Sequence, residues 1–219
     1  MQHNVKRRHF LQWGAAGVGA ALAGINARAA DVCIETARQT SGPFYPGQGS
    51  FAMDNDLTAV PGAKAAPLGE VIYIKGIVRD ADCRPVAGVN VEIWQACASG
   101  KYNNASDPNP APLDPNFKYW GETISNANGE YSFKSILPGA YPAAADWDRP
   151  PHIHFRLMKR GYHELITQMY FKGDPLNETD KILVNVPRHL RGEVIVDFQP
   201  TVNEPISKTG VFNITILKV

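Results

Sequence analysis

The chain has 219 residues, with 22 Lys and Arg against 21 Asp and Glu for a formal net charge of +1. That is room for one well-packed domain with appendages, and it excludes the strongly basic surface of a nucleic-acid binder. The balance hides an uneven distribution: residues 1–29 hold Lys6, Arg7, Arg8 and Arg28 and no acid, so removing those four from the 22 leaves 18 basic against 21 acidic residues, a net −3.

Residues 1–29 have the form of an export signal. Lys6-Arg7-Arg8-His9-Phe10-Leu11 resembles a twin-arginine motif, residues 13–22 form a short apolar run, and Ala27-Arg28-Ala29 is a small-x-small cleavage site. A membrane-spanning helix needs about 20 apolar residues, so this glycine-rich run predicts a removable segment and no stable membrane insertion. The expected location is periplasmic or extracellular, with the mature chain starting near Ala30; a basic amphipathic surface helix is the alternative. Residues 30–69, rich in Gly, Pro, Ala and Asp, predict an extended arm that wraps the domain without forming its core. Beyond the head stand Cys33, Cys83 and Cys97, in no zinc-like spacing. An oxidising compartment permits one disulfide, read here as Cys33 with Cys83; three buried small side chains are the alternative.

From residue 70 to the end the pattern predicts a β domain. Ile72, Ile74 and Val78 alternate with Tyr73, Lys75 and Arg79, as a half-buried strand requires. After a turn over residues 80–88, Val89, Val91 and Ile93 form the next inward set, with Asn90, Glu92 and Trp94 facing the other way. Residues 98–118 carry Pro108, Pro110, Pro112 and Pro115, which no regular element can run through, so a long loop is expected. Asn126-Ala127-Asn128-Gly129 is a turn before a strand with Tyr131 and Phe133, which Leu137-Pro138-Gly139 ends. A proline-rich bend over 141–151 leads into a strand from His152 to Leu157, and further strands are expected at 165–171, 193–198 and 211–217. No helical period of useful length is visible. The sum is an all-β antiparallel sandwich with long loops and an extended N-terminal arm.

His152-Ile153-His154 is the most chemical of these segments. On a strand the two imidazoles share one face about 6–7 Å apart while Ile153, Phe155 and Leu157 turn to the core. They are two of four histidines beyond residue 29. A metal pair and a satisfied structural pair both remain open on this pattern alone. Asp146 and Asp148 are the only carboxylates close in sequence, and no familiar zinc spacing is present. The oxygen-bearing residues of the two proline-rich loops are Tyr102 and Tyr141. A phenol ionises near neutral pH only beside a strong Lewis acid, and ferric iron is one.

Taken together, Gly42-Pro43-Phe44-Tyr45-Pro46, Glu92-Ile93-Trp94-Gln95-Ala96, Gly100-Lys101-Tyr102, Pro138-Gly139-Ala140-Tyr141-Pro142, Arg149-Pro150-Pro151-His152-Ile153-His154-Phe155 and residues 165–171 resemble the intradiol ring-cleavage dioxygenases. The pattern is most similar to the iron-binding subunits of the protocatechuate-cleaving branch. The resemblance implies an Fe(III) site with Tyr102, Tyr141, His152 and His154 as ligands, and catalytic roles for Arg149, Gln168 and Tyr141, the last as the ligand that substrate displaces. It implies a catechol-type substrate opened by O2 between its hydroxylated carbons to a muconate-type diacid. Ala143 stands where the protocatechuate branch carries a tryptophan, that branch completes its site with a second type of subunit that a single chain lacks, and the arm is too short for the helical dimerisation region of the catechol-cleaving branch. A homo-oligomer is compatible with the sequence. Two other readings stay open: a transthyretin-like β-sandwich binding module without catalytic metal, and a zinc or copper enzyme built on the histidine pair.

Overall fold

The alternating runs become strands, and their alternation decides what each sheet face does. The computed structural model describes residues 32–46 and 53–219, so the export signal expected at 1–29 lies outside the described residues. The strands are β1 (Val71–Arg79), β2 (Asn90–Trp94), β3 (Trp120–Ile124), β4 (Glu130–Ile136), β5 (Tyr141–Ala144), β6 (Trp147–Arg149), β7 (His152–Met158) and β8 (Leu165–Phe171). After a short helix α1 (Arg188–Val194) come β9 (Ile195–Val196), β10 (Phe198–Thr201), β11 (Glu204–Val211) and β12 (Ile214–Thr215). One sheet runs β10-β11-β1-β12 with β4 also on β1, a second runs β3-β2-β7-β8-β9, and β5-β6 form a separate hairpin.

Between these sheets lies an apolar core. Ile72, Ile74 and Val78 of β1, Val91 and Ile93 of β2, and Ile153, Phe155 and Leu157 of β7 are all 1% exposed or less. Burying such a side chain contributes about 1.5–3 kcal/mol, and a shift of one residue in any of these strands would turn the whole set outward. Gly76 interrupts the inward run of β1 because a Cβ there would sit 1.9 Å from the Phe212 carbonyl oxygen.

The β-sandwich is the expected one, with mixed sheets: β1 pairs in parallel with β11 and β12, and β8 with β9. Residues 193–198, expected as one strand, split between the end of α1 and the short β9 and β10. Only Val194 of α1 is buried, so a helix of this length leaves no apolar period to read. The bend expected over 141–151 contains the two-stranded hairpin β5-β6, in which Pro142 stands opposite Asp148 just before a break in register. The last expected strand, 211–217, shrinks to β12, while β3 and β11 had drawn no expectation.

Residues 32–46 and 53–69 run against the sandwich, and against the expectation that this arm stays out of the core they contribute to it. Backbone bonds from Cys33 to Ala81, Thr36 to Thr215 and Gln39 to Ile166 tie the arm down, and Ala37 and Leu57 are buried in the main cluster. Cys33 and Cys83 form the expected disulfide, and Cys97 is a buried free thiol. Among the described residues no helix is long and apolar enough to cross a membrane.

Candidate active site

The functional face of the second sheet is the one turned away from the core. Because β7 alternates, His152 and His154 point opposite to Ile153, Phe155 and Leu157. Antiparallel pairing then sets Trp94 and Gln168 on either side of His154, and Tyr170 beside His152. This face is buried as well: His152, His154, Trp94 and Gln168 are at most 3% exposed, because loops and the arm cover it.

Two of those loops carry the tyrosines, and glycine lets them interlock. Gly100 has φ +80°, and a Cβ on it would meet the Ala140 carbonyl oxygen at 2.3 Å; one on Gly139 would meet the Ala98 carbonyl oxygen at 2.4 Å. The Asp107 carboxylate accepts the Tyr102 N–H at 2.7 Å, and Lys101 Nζ donates to the Asp107 carbonyl at 2.7 Å. The result brings all four predicted ligands together. Ring centroids are 5.5 Å apart for Tyr102 and Tyr141, 5.7 Å for Tyr141 and His152, and 5.0 Å for His152 and His154. Phe44 of the arm packs on Tyr102 at 4.9 Å, and Gly42 leaves 3.4 Å between its Cβ position and His154 Cε1. Trp94 stacks on His154 at 4.8 Å and 9°.

The donor set fits a cation. His152 Nδ1 donates to the Pro150 carbonyl at 2.7 Å, which turns the Nε2 lone pair into the site, 3.2 Å from Tyr102 Oη and 2.9 Å from Arg149 Nη1. Donors bound to one metal at about 2.0–2.1 Å lie about 2.9–3.4 Å apart, so these two already stand as neighbouring ligands would. His154 Nδ1 is buried without a hydrogen-bond partner, as is Nε1 of the Trp94 stacked on it, and leaving such groups unmet is costly. Burial pushes the Tyr102 phenol well above its ordinary range, with Tyr141 adding to the shift and Arg149 opposing it. Burial also raises Tyr141, again against Arg149. Both imidazoles are held well below their usual range, first by burial and then by the Arg149 charge on His152 and by the His152 and Arg149 charges on His154. Two neutral imidazoles and two phenols that ionise only beside a strong positive charge are a donor set for a hard, highly charged metal.

Arg149 closes one side of this set. Its Nη1 lies 2.9 Å from His152 Nε2, and Nη2 donates to Gln168 Oε1 at 2.8 Å and to Tyr170 Oη at 3.2 Å. Asp180 grips the same guanidinium twice, from Nε to Oδ1 and from Nη2 to Oδ2, both at 3.1 Å. Burial opposes the charge, yet these bonds raise the Arg149 pKa. Asp180 is fully buried and also accepts from Trp147 Nε1 and the Leu183 N–H, each at 3.1 Å. Sequence reasoning missed it: it stands 31 residues from Arg149, after a short 3₁₀ turn, with no motif around it. Gln39 was missed too, and it accepts from Tyr170 Oη at 2.9 Å. Asp146 and Asp148 are exposed on the hairpin and stay out of the site, and no cluster of three His, Cys, Asp or Glu side chains exists among the described residues.

A cavity of about 160 Å³ opens onto these groups, lined by Phe44, Tyr141, Ala143, Trp147, Arg149 and His154 among others. A larger hollow of about 670 Å³ beside β1, β10 and β11 contains none of them.

Comparison with known proteins agrees with this geometry. The dioxygenase family profile matches residues 40–215. The chain is 41% identical over 168 residues to the protocatechuate 3,4-dioxygenase beta chain of Burkholderia cepacia, covering 75% of this chain and 71% of that one. It is 29% identical over 181 residues to catechol 1,2-dioxygenase of Candida albicans, covering 77% of this chain and about half, 54%, of the relative. Among solved structures, 3-chlorocatechol 1,2-dioxygenase of Rhodococcus opacus superposes with a TM-score of 0.67 at 24% identity, over 84% of this chain and 74% of that one. An intradiol ring-cleavage dioxygenase of Tetranychus urticae gives 0.65 at 23% identity, over 84% and 95%.

Proposed function

Starting from the premise that this chain belongs to the intradiol ring-cleavage dioxygenase family, whose members use non-heme iron and place both atoms of O2 in the product, we propose that Tyr102, Tyr141, His152 and His154 hold ferric iron and that the enzyme opens a catechol between its hydroxylated carbons. One observation carries the ligand assignment: Tyr102 Oη and His152 Nε2 lie 3.2 Å apart in a buried site whose other walls include Tyr141 and His154. Ferric iron held there would supply electron withdrawal from the ring of a bound catechol, which would open a ring carbon to O2.

The side chains do the rest. Tyr141 stands at the cavity wall, where its phenolate accepts a proton from an incoming catechol hydroxyl; Tyr102, farther from the opening and tied by Asp107, stays as the anchor. Arg149 is a fixed cation that stabilises negative charge developing on the ring and on the added oxygen, as a preorganised charge in a dry site should. Gln168 is held by Arg149 on one side and donates to the Thr40 carbonyl at 2.9 Å on the other, so it presents a fixed amide. No observation favours the metal-free binding module, and a zinc or copper reading built on the histidine pair leaves the convergence of Tyr102 and Tyr141 on it unexplained.

Iron content, visible absorption and isotope incorporation test the reading together. About one ferric iron per chain is expected, with the red tyrosinate charge-transfer colour, and both atoms of labelled O2 should appear in a ring-opened diacid. Protein that stays colourless and iron-free after iron supplementation would sink the assignment.

Export of the folded chain is part of the same proposal. It is supported by the Cys33–Cys83 disulfide, since disulfides persist in oxidising compartments. Replacing Arg7 and Arg8 by Lys should leave the precursor in the cytoplasm, and unchanged export would point to another route.

A further inference from the structure

From the charge balance of the cavity we propose that this enzyme selects catechols whose ring substituent is absent or uncharged and apolar, and discriminates against ring carboxylates. The inference rests on the iron and ring-opening reading above and names the substrate class of that site. Selectivity of this kind depends on whether the site offers an incoming anion a cation that is free to pair with it.

The cations on the elements around the cavity are already matched. Arg149 lines it, but Asp180 holds its guanidinium in a two-point pair at 3.1 Å, and Gln168 and Tyr170 accept further bonds from it. Lys101 is spent on the 104–109 loop, donating to the Asp107 and Asn109 carbonyls with the Asp107 carboxylate 3.9 Å away. Lys181 lies 5.4 Å over the Trp147 ring, paired with Asp146 at 3.5 Å, and is not part of the cavity wall. Among the described residues the other charged wall residue is Asp107, whose buried carboxylate is turned to the Tyr102 and Asn109 N–H groups. The remaining wall is apolar, with Pro43, Phe44, Pro108, Ala143, Trp147 and Ile182 as its surface. A ring carboxylate would therefore lose its water and find, among the described residues, no cation outside the Arg149–Asp180 pair, whereas a methyl group or hydrogen would meet carbon.

Ala143 gives the reciprocal test, because it is exposed at the cavity edge and makes no part of the donor set. Iron-loaded, full-length protein is compared on catechol, 4-methylcatechol and 3,4-dihydroxybenzoate, by kcat/KM in air and by calorimetric binding without O2. The expected result is a preference of about 100-fold or more for the two uncharged rings in both readouts. The Ala143→Lys variant, which adds an unpaired cation at the edge, should narrow that ratio by about tenfold, chiefly through binding of the acid. If 3,4-dihydroxybenzoate binds and reacts as well as catechol, the substrate inference is overturned while the ring-opening function stands. If iron-loaded protein binds and opens none of the three rings, the reading beneath it fails and the inference falls with it.

Discussion

Asp180 is where the structure makes its sharpest demand. Its carboxylate is fully buried and accepts four N–H groups, two from Arg149, one from Trp147 and one from the Leu183 backbone. Asp180→Asn preserves shape and removes the charge; in either amide orientation an NH2 group faces donors, and Arg149 is left a buried cation without its counter-ion. Breaking a buried pair in this way costs about 3–5 kcal/mol. At about 2–4 °C per kcal/mol for a domain of this size, Tm should fall by roughly 6–20 °C. Activity should fall as well, by about 10–100-fold in kcat/KM at a temperature where the variant is folded and retains iron, because a cation displaced by an ångström loses its alignment with the reacting ring. Urea titration, calorimetry and steady-state kinetics measure these effects. The double variant Arg149→Met/Asp180→Leu separates them: with no charge left unpaired it should recover much of the stability and none of the activity. If Asp180→Asn changed stability by less than about 1 kcal/mol and kcat/KM by less than twofold, the pair would not be what holds Arg149.

Three further outcomes are expected. His152→Ala and His154→Ala should each lose iron, since each removes a neutral donor from a set of four; stoichiometric iron in either, measured by elemental analysis, would show that the assignment is wrong. Tyr141→Phe should keep iron, shift the charge-transfer band and slow catechol binding, because no phenolate is present to take the hydroxyl proton, whereas Tyr102→Phe should lower iron occupancy further; the opposite pattern in stopped-flow binding and iron content would exchange the two roles. Reducing the Cys33–Cys83 bond, which spans 50 residues, should lower unfolding free energy by about 2–4 kcal/mol in denaturant titration with and without reductant, and an unchanged midpoint would mean that the arm is held without it.

What could be read from the sequence was local. Period two in β1, β2 and β7 placed Ile72, Val91, Ile153 and their neighbours in the core, and the i, i+2 spacing of His152 and His154 put both on one face. The tyrosines were different. Nothing in the spacing of Tyr102, Tyr141 and the histidines says that two proline-rich loops meet above β7; the resemblance supplied that, and the close approach of Gly100 to Ala140 shows how it is done. The 188–194 helix was hidden by its brevity, and β11 by its Gly and Pro content.

Contacts between distant segments left no trace in any local pattern. Asp180 reaches Arg149 across 31 residues, and Gln39 reaches Tyr170 across 131, so neither partner could be found from its own neighbourhood. Yet both belong to a site whose floor was legible, because β7 uses one set of alternate residues for the core and the other for chemistry. That economy makes the strand intolerant in a specific way: a one-residue slip would turn His152 and His154 toward the apolar core and Ile153 and Phe155 toward the donor set, removing the metal site and the packing together. Loops can vary around such a floor. The apolar cavity edge at Pro43, Ala143 and Ile182, which stands outside the Arg149–Asp180 pair, is therefore the part of the site in which substrate choice can change without disturbing the fold.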